Sequence, residues 1–175
     1  MAESWAISDD GKTYTFKLHT GVKFHDGTDF DANDVKFSLD RARADNSVNA
    51  QKGLFAAIDK VDVIDPAMVK VTLKNPQGSF LYNMGWGDAV IVAPETADTN
   101  KEKPIGTGPF KFQSWAKGSS ITLVKSDNYW GTPASLDKAE FRIVPDAAAY
   151  VPALLSGDIQ AFPFFDADSV AQVKD

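Results

Sequence analysis

Residues 82–88 read Tyr-Asn-Met-Gly-Trp-Gly-Asp and hold the side chains best suited to contact a small ligand. The glycines on both sides of Trp86 would let its ring stand free over a ligand. We therefore group Tyr82, Trp86 and Gly87 with Asp88, whose carboxylate could meet a ligand ammonium group. A structural alternative has Trp86 packed in the core and Asp88 capping a turn. The sequence leaves both interpretations open.

The two histidines give little support for catalysis or metal binding. His19 and His25 are the only histidines, the chain has no cysteine, and no Glu lies near them at metal-ligand spacing. A tight turn closed by Asp26-Gly27 explains residues 24–27 better. A hydrolase would need a nucleophile–base pair, and the sequence has no Gly-x-Ser-x-Gly elbow. We predict no catalytic residue, no metal site and no cofactor.

Two further motifs only partly match known binding loops. Residues 29–33 follow the first ligand positions of an EF-hand, but Asp34 occupies the required glycine position and Asp40 replaces the final glutamate. Helix capping by Asp31 explains these residues better. Residues 106–108, Gly-Thr-Gly, form half of a dinucleotide fingerprint, but the chain continues as a strand instead of a helix. We therefore reject a phosphate-binding loop.

Length and composition indicate one ordinary globular domain. The chain has 175 residues, of which 43% are hydrophobic and 24% charged. Its net charge of −6 repels phosphate backbones, so we predict no nucleic-acid partner. No segment approaches the ~20 apolar residues that span a bilayer. The first residues lack an export signal, but a predicted strand already begins at Ser4, so we interpret Met1 as the start of an excised segment.

Hydrophobic spacing predicts an α+β fold, because strands outnumber helices and do not alternate with them strictly. Two hairpins are expected, one around an Asp-Gly turn at residues 9–12 and one around Asp65-Pro66. Asp31 should cap a helix with an apolar face. Pro152 should kink the last helix or delay its start. The predicted strands are residues 4–8, 14–18, 61–64, 69–73, 89–93, 110–115, 121–125, 140–144 and 158–161. Besides the helix capped by Asp31, the predicted helices cover residues 53–58, 79–83 and 147–155.

Four blocks of sequence carry a resemblance to a known family. The most informative block is Pro-Ile-Gly-Thr-Gly-Pro-Phe at residues 104–110, followed by Trp115 and by Asn-Tyr-Trp-Gly at residues 128–131. No catalytic site needs this order of glycines, prolines and tryptophans, so we interpret it as architecture. Together with residues 2–18, 21–28 and 30–39, this block resembles the sequence of the extracellular solute-binding proteins of family five. Those proteins deliver peptides and similar solutes to ABC importers.

The resemblance implies a partial lobe of a two-lobed periplasmic-binding-protein fold of type II, cluster C, with a mixed sheet and flanking helices. Residues 1–30 and 104–175 would belong to the N-terminal lobe, residues 31–103 would form a small inserted domain, and the C-terminal ligand lobe would be absent. The implied function is to capture peptides or similar small solutes in a cleft between lobes and deliver them to a membrane permease. Such a protein is not an enzyme, and it works in the periplasm or outside the cell.

Several alternatives stay open. The solute could instead be a sugar, an opine or a nickel complex, or the chain could be an interaction module on the same fold. We expect the chain alone to bind weakly or not at all, because one wall of a cleft buries too little ligand. The apolar residues 162–165 belong either to the core or to a surface through which the chain self-associates.

Overall fold

The computed structural model describes residues 1–163. The chain forms two compact units. The first unit contains residues 1–111 and 125–135, and the second contains residues 112–124 with the described residues from Leu136 onward.

The first unit is built on one antiparallel sheet with the strand order β1-β2-β4-β3. Both predicted hairpins are confirmed. The first turns at Gly11, whose φ of +67° favours glycine. Pairing of Phe16 with Val69 joins the two hairpins into a single sheet. The strands are β1 (Ala2–Ile7), β2 (Thr13–Leu18), β3 (Ile58–Asp65) and β4 (Met68–Leu73).

Helix α1 (Ala32–Arg43) covers the core face of this sheet and packs against β3. Its predicted cap is confirmed: Asp31 Oδ1 accepts a hydrogen bond from the Asn33 backbone N–H at 2.6 Å, and Asp34 Oδ2 accepts one from the Asp31 N–H at 2.8 Å. This reciprocal capping box satisfies the free donors of the first helical turn. The predicted apolar face is buried, and it lies against a core that includes Tyr14, Leu18, Phe24, Val61, Val69 and Val71.

The predicted strand at residues 89–93 is wrong. This apolar run forms an irregular segment, in which Val92 is buried and Val90 is 59% exposed. The buried Ser38 hydroxyl of α1 accepts a hydrogen bond from the Val92 N–H at 2.9 Å and donates one to the Val92 carbonyl at 3.1 Å. The side chain thus pairs backbone groups that a strand would have paired with a neighbouring strand.

Two short helices complete the first unit. Helix α2 (Phe80–Met84) ends at Gly85, as predicted. The predicted helix at residues 53–58 is shorter than expected, since only a 3₁₀ helix at Lys52–Phe55 forms before β3 begins at Ile58.

The second unit carries most of a three-stranded sheet with the order β5-β6-β7. The strands are β5 (Phe110–Ala116), β6 (Ser120–Lys125) and β7 (Lys138–Arg142), so the last strand begins and ends two residues before its predicted position. A 3₁₀ turn at Ala147–Ala149 leads into α3 (Tyr150–Leu155), whose delayed start fits the expectation from Pro152.

The predicted strand at residues 158–161 is wrong. The Ile159 N–H donates to the Ala153 carbonyl at 3.2 Å, and the Arg142 side chain donates to the Asp158 carbonyl at 3.0 Å. The first bond holds the segment against α3, and the second joins it to the end of β7. In the apolar run 162–165, Phe162 stacks on Tyr150 with ring centroids 5.4 Å apart, while Phe164 and Phe165 lie outside the described residues.

The α+β fold class is confirmed. The predicted division into a lobe and an inserted domain concerns the complete two-lobed protein and stays a prediction, although β1 and β2 share one sheet with β3 and β4. Across residues 1–163, no helix is both long and apolar enough to cross a membrane.

The first prediction concerns Ser38. Ser38→Ala leaves a buried N–H and a buried carbonyl unpaired, so we expect it to lower the free energy of unfolding by about 2 kcal/mol. Urea denaturation of this variant and of Ser135→Ala, at an exposed serine, measures the difference. A Ser38→Ala variant as stable as Ser135→Ala would contradict the role of the hydroxyl.

The second prediction concerns Asp34, which is buried. Burial raises the pKa of Asp34 above its ordinary 3.8, and the negative charges of Asp31 and Glu95 raise it further, against the hydrogen bond from the Asp31 N–H. The folded state therefore binds the proton of the Asp34 carboxyl group more tightly than the unfolded state does. The stabilisation that results is present below pH 3.8 and is lost as the pH rises through the folded-state pKa of Asp34.

We expect Asp34→Asn, which keeps an oxygen acceptor for the cap, to be more stable than the wild type at pH 7. This advantage should shrink on acidification toward pH 3.8. Urea denaturation across that range measures it, with Asp98→Asn at an exposed carboxylate as the control. A loss of stability at pH 7 would mean that the attraction between the Asp34 carboxylate and the helix N-terminus outweighs the cost of burying this charge.

Candidate functional site

Of the two aromatic residues of the predicted site, Tyr82 lies on α2 and Trp86 follows the end of this helix. Phe80 is fully buried and anchors the helix, whereas Tyr82 is 70% exposed and Trp86 43% exposed. The two exposed rings meet edge to face, with centroids 6.0 Å apart. Together with Leu81 and Gly85 they line an open cavity of about 420 Å³. Trp86 is therefore available at the surface and is not a core residue.

The two glycines beside Trp86 differ in their surroundings. A Cβ at Gly85 would lie 3.3 Å from the Tyr82 carbonyl oxygen, so this position favours a residue without a side chain. A Cβ at Gly87 would meet open space, and Gly87 lines neither the cavity at Tyr82 and Trp86 nor the cavity beside Asp88. Its place in the site remains a prediction.

Asp88 lines a different cavity from Tyr82 and Trp86. This second cavity, which we name the polar groove, has a volume of about 440 Å³ and lies between the end of α1, residues 44–49 and residues 88–92. The Asp88 carboxylate makes no hydrogen bond or ion pair with any described residue, so it caps no turn there. The lining of the polar groove includes the polar residues Arg41, Asn46, Asn49 and Asp88 and the apolar residues Val90 and Val92.

Side chains fix the walls of the polar groove at two points. Asn49 Nδ2 donates to the Asp88 carbonyl at 2.9 Å, and its Oδ1 accepts from the Gln51 N–H at 2.8 Å. The Ser38–Val92 pair described above holds the other end. Sequence reasoning found Asp88 but missed Arg41, Asn46 and Asn49. The available signal was the group of polar residues Asn46, Ser47 and Asn49, which lies a few residues after the end of α1.

His25 binds the backbone of the signature segment at residues 104–110. Its Nε2 donates to the Gly108 carbonyl at 2.9 Å, and its Nδ1 accepts from the Gly106 N–H at 3.3 Å. The Trp130 indole adds a hydrogen bond to the Thr107 carbonyl at 3.1 Å. Both imidazole nitrogens are thus occupied by backbone groups. In the described part of the chain, no three His, Cys, Asp or Glu residues gather as metal ligands.

The second half of the signature packs around Trp130. Its ring lies against His19 and Tyr129, with centroids 4.7 Å and 5.5 Å away. A Cβ at Gly131 would lie 2.8 Å from the Tyr129 ring, which explains the glycine after this aromatic pair. These contacts support the architectural interpretation of both signature segments.

The family model for bacterial extracellular solute-binding proteins, family 5 (Middle), matches residues 1–175. The chain therefore belongs to this family.

Two relatives illustrate the likeness in sequence. The glutathione-binding protein GsiB of Pectobacterium atrosepticum is 39% identical over 183 residues, covering 100% of this chain and 35% of the relative. The dipeptide-binding protein of Escherichia coli K12 is 36% identical over 200 residues, covering 99% of this chain and 37% of the relative. The chain thus spans about a third of the length of these relatives.

A solved structure has the same fold. The ABC transporter-associated periplasmic binding protein DppA from Helicobacter pylori, in complex with the peptide STSA, matches with a TM-score of 0.88 and 33% identity. The match covers 99% of this chain and 39% of that protein. The predicted type II periplasmic-binding-protein fold is confirmed, and the chain forms part of it.

The third prediction concerns His25. Replacing it by Ala removes two hydrogen bonds to residues 106–108, so we expect the free energy of unfolding to fall by about 2 kcal/mol. The control in the same loop is Asp29→Ala, which breaks the exposed ion pair with Lys23 and should cost about 1 kcal/mol at most. Urea denaturation compares the two variants. Equal losses would contradict the special role of His25.

Proposed function

We propose that this chain is the N-terminal part of the solute-binding component of an ABC importer, and that its solute is a peptide. The observation that carries the proposal is the match of the whole chain to its family and to relatives named for binding dipeptides and glutathione. A second support is the likeness to a periplasmic binding protein with a bound peptide. The names of these two sequence relatives favour peptides over sugars, opines or nickel complexes as the solute.

The proposed mechanism is binding without chemistry. Two lobes close about a hinge, bury the solute between them and present the closed form to a membrane permease. This chain supplies one wall of that cleft, outside the cytoplasmic membrane. Both nitrogens of His25 bind backbone groups, so this histidine has a structural role.

Tyr82, Trp86, Gly87 and Asp88 are our proposed contribution to the cleft. The exposed rings of Tyr82 and Trp86 offer an apolar face for a ligand side chain. Asp88 offers a carboxylate without a partner among the described residues, which suits a ligand ammonium group. The open shape of both cavities supports weak binding by this chain alone, since tight sites bury most of a ligand's surface.

The fourth prediction compares this chain with a chimera in which it replaces the matching segment of the E. coli dipeptide-binding protein. Calorimetric titration with dialanine should give micromolar affinity for the chimera and, at best, millimolar affinity for this chain. The reason is that only the chimera closes a second wall over the ligand. A cooperative melting transition serves as the folding control for each protein.

Trp86→Ala in the chimera should weaken binding of phenylalanyl-alanine about tenfold, because an aromatic contact is lost. Trp115→Ala is the matched control, since Trp115 is also 43% exposed but lies outside the proposed site. A folded chimera that binds no dipeptide would contradict the proposed function. Equal affinity of chain and chimera would place a complete site within these residues.

A further inference from the structure

Strand β1 is exposed along its whole length, although it belongs to the central sheet of the first unit. It lies at the edge of the strand order β1-β2-β4-β3, and all of its residues are exposed. Trp5 lies directly opposite Phe16 of β2, and Ile7 lies directly opposite Tyr14. Residues directly opposite each other on neighbouring strands point to the same face of a sheet. Because Tyr14 is part of the buried core, Trp5 and Ile7 also lie on the core face.

Burial on this core face ends at β1. Val61, Val71 and Tyr14 lie opposite one another across β3, β4 and β2, and each is at most 4% exposed. Ile7 ends the same row and is 48% exposed, while Trp5, in the next row, is 56% exposed. The cause is the position of α1, which packs on β3 and β4 at the other end of the sheet. Within residues 1–163, therefore, no element covers Trp5 and Ile7 as α1 covers β3.

The opposite face of β1 is suited to water. Its residues Ser4 and Ala6 are small, and they lie opposite Lys17 and Thr15 of β2. Lys17 forms an exposed ion pair with Glu3 at 2.8 Å. An antiparallel sheet commonly has one solvated face and one packed face. β1 has this amphipathic pattern, but its apolar side has no covering layer among the described residues.

The length of the relatives indicates where a covering layer can come from. This chain spans 35% and 37% of the two sequence relatives and 39% of the solved structure, so about two thirds of such a protein lies outside it. A segment of the same polypeptide is held near β1 at a high effective concentration, and this gives it an advantage over a second copy of the chain. The exposed apolar surface of β1 therefore fits an intramolecular partner better than a dimer.

We propose that the core face of β1, defined by Trp5 and Ile7, is an internal packing surface of the complete protein. Its occupant is an apolar segment of the same polypeptide that lies outside these 175 residues. The contact extends the hydrophobic core from Tyr14 and the half-buried Phe16 over Ile7 and Trp5. The inference rests on the proposal that this chain is part of a longer solute-binding protein, but it does not depend on which solute is bound.

The first test measures the exposure of Trp5 in this chain and in the chimera described above, both labelled with 5-fluorotryptophan. The Trp5→Phe variant assigns the fluorine signal of Trp5 in each protein. The difference in chemical shift of that signal between ordinary and heavy water reports contact of the ring with solvent. We expect a large solvent shift in the chain, where the ring is exposed, and a shift of less than half that size in the chimera, where the rest of the protein covers the ring.

The second test uses Ile7→Thr, which keeps a β-branched side chain in the strand and removes apolar surface. In the chain, the equilibrium constant for folding should fall about threefold, because Ile7 is already half exposed. In the chimera it should fall about thirtyfold, because the hydroxyl is then buried against an apolar segment. Urea denaturation measures both values. Ile64→Thr is the matched control, since Ile64 is 52% exposed on β3, the other edge strand of the sheet, and it should cost the same small factor in both proteins.

Three results would overturn the proposal. Equal solvent shifts of Trp5 in the chain and in a folded chimera would show that the longer protein does not cover β1. Shielding of Trp5 in the chain alone, rising with concentration as sedimentation detects a dimer, would assign the face to a second copy. Shielding that appears only when dialanine is added would assign it to the ligand. The dialanine titration of the chimera is a separate measurement, and it decides whether the proposed function survives.

Discussion

The first unit depends on one constraint, which is that buried backbone N–H and carbonyl groups must find partners. Its four-stranded sheet and α1 pair backbone groups within regular structure, but two irregular segments pack beside them, one buried at Val92 and one half-buried at residues 105–110. Ser38 pairs both groups of Val92 in one segment, and His25 pairs groups of Gly106 and Gly108 in the other. Two polar side chains thus take the place of neighbouring strands.

The His25 contacts explain why two distant blocks of sequence act together. Residues 24–27 form a tight turn, and residues 104–110 lead directly into β5. Because the imidazole accepts from one glycine and donates to the other, it fixes the backbone where the chain enters that strand. The glycine-rich residues 104–110 therefore have a structural role at the start of β5. Their partial resemblance to a phosphate-binding loop has no functional meaning.

Local patterns in the sequence predicted the local structure well. The hairpins, the cap at Asp31 and the delayed start of α3 depend on residues close together in the chain, and all were predicted. Residues 89–93 were misassigned because their apolar run suited a strand, whereas the partner that decides their structure is Ser38, 54 residues away. The polar groove was missed for a related reason: which side chains line one groove is a tertiary property.

The candidate site lies on segments that the sheet does not hold. Trp86 and Asp88 are two residues apart yet line different cavities, because the chain turns between α2 and the segment that Ser38 fixes. Asn49 holds the same region from the opposite wall through the Asp88 carbonyl. The backbone of Asp88 is therefore fixed by contacts that do not involve its own side chain. The exposed side chains of Tyr82 and Trp86 can therefore change without disturbing the sheet or the core.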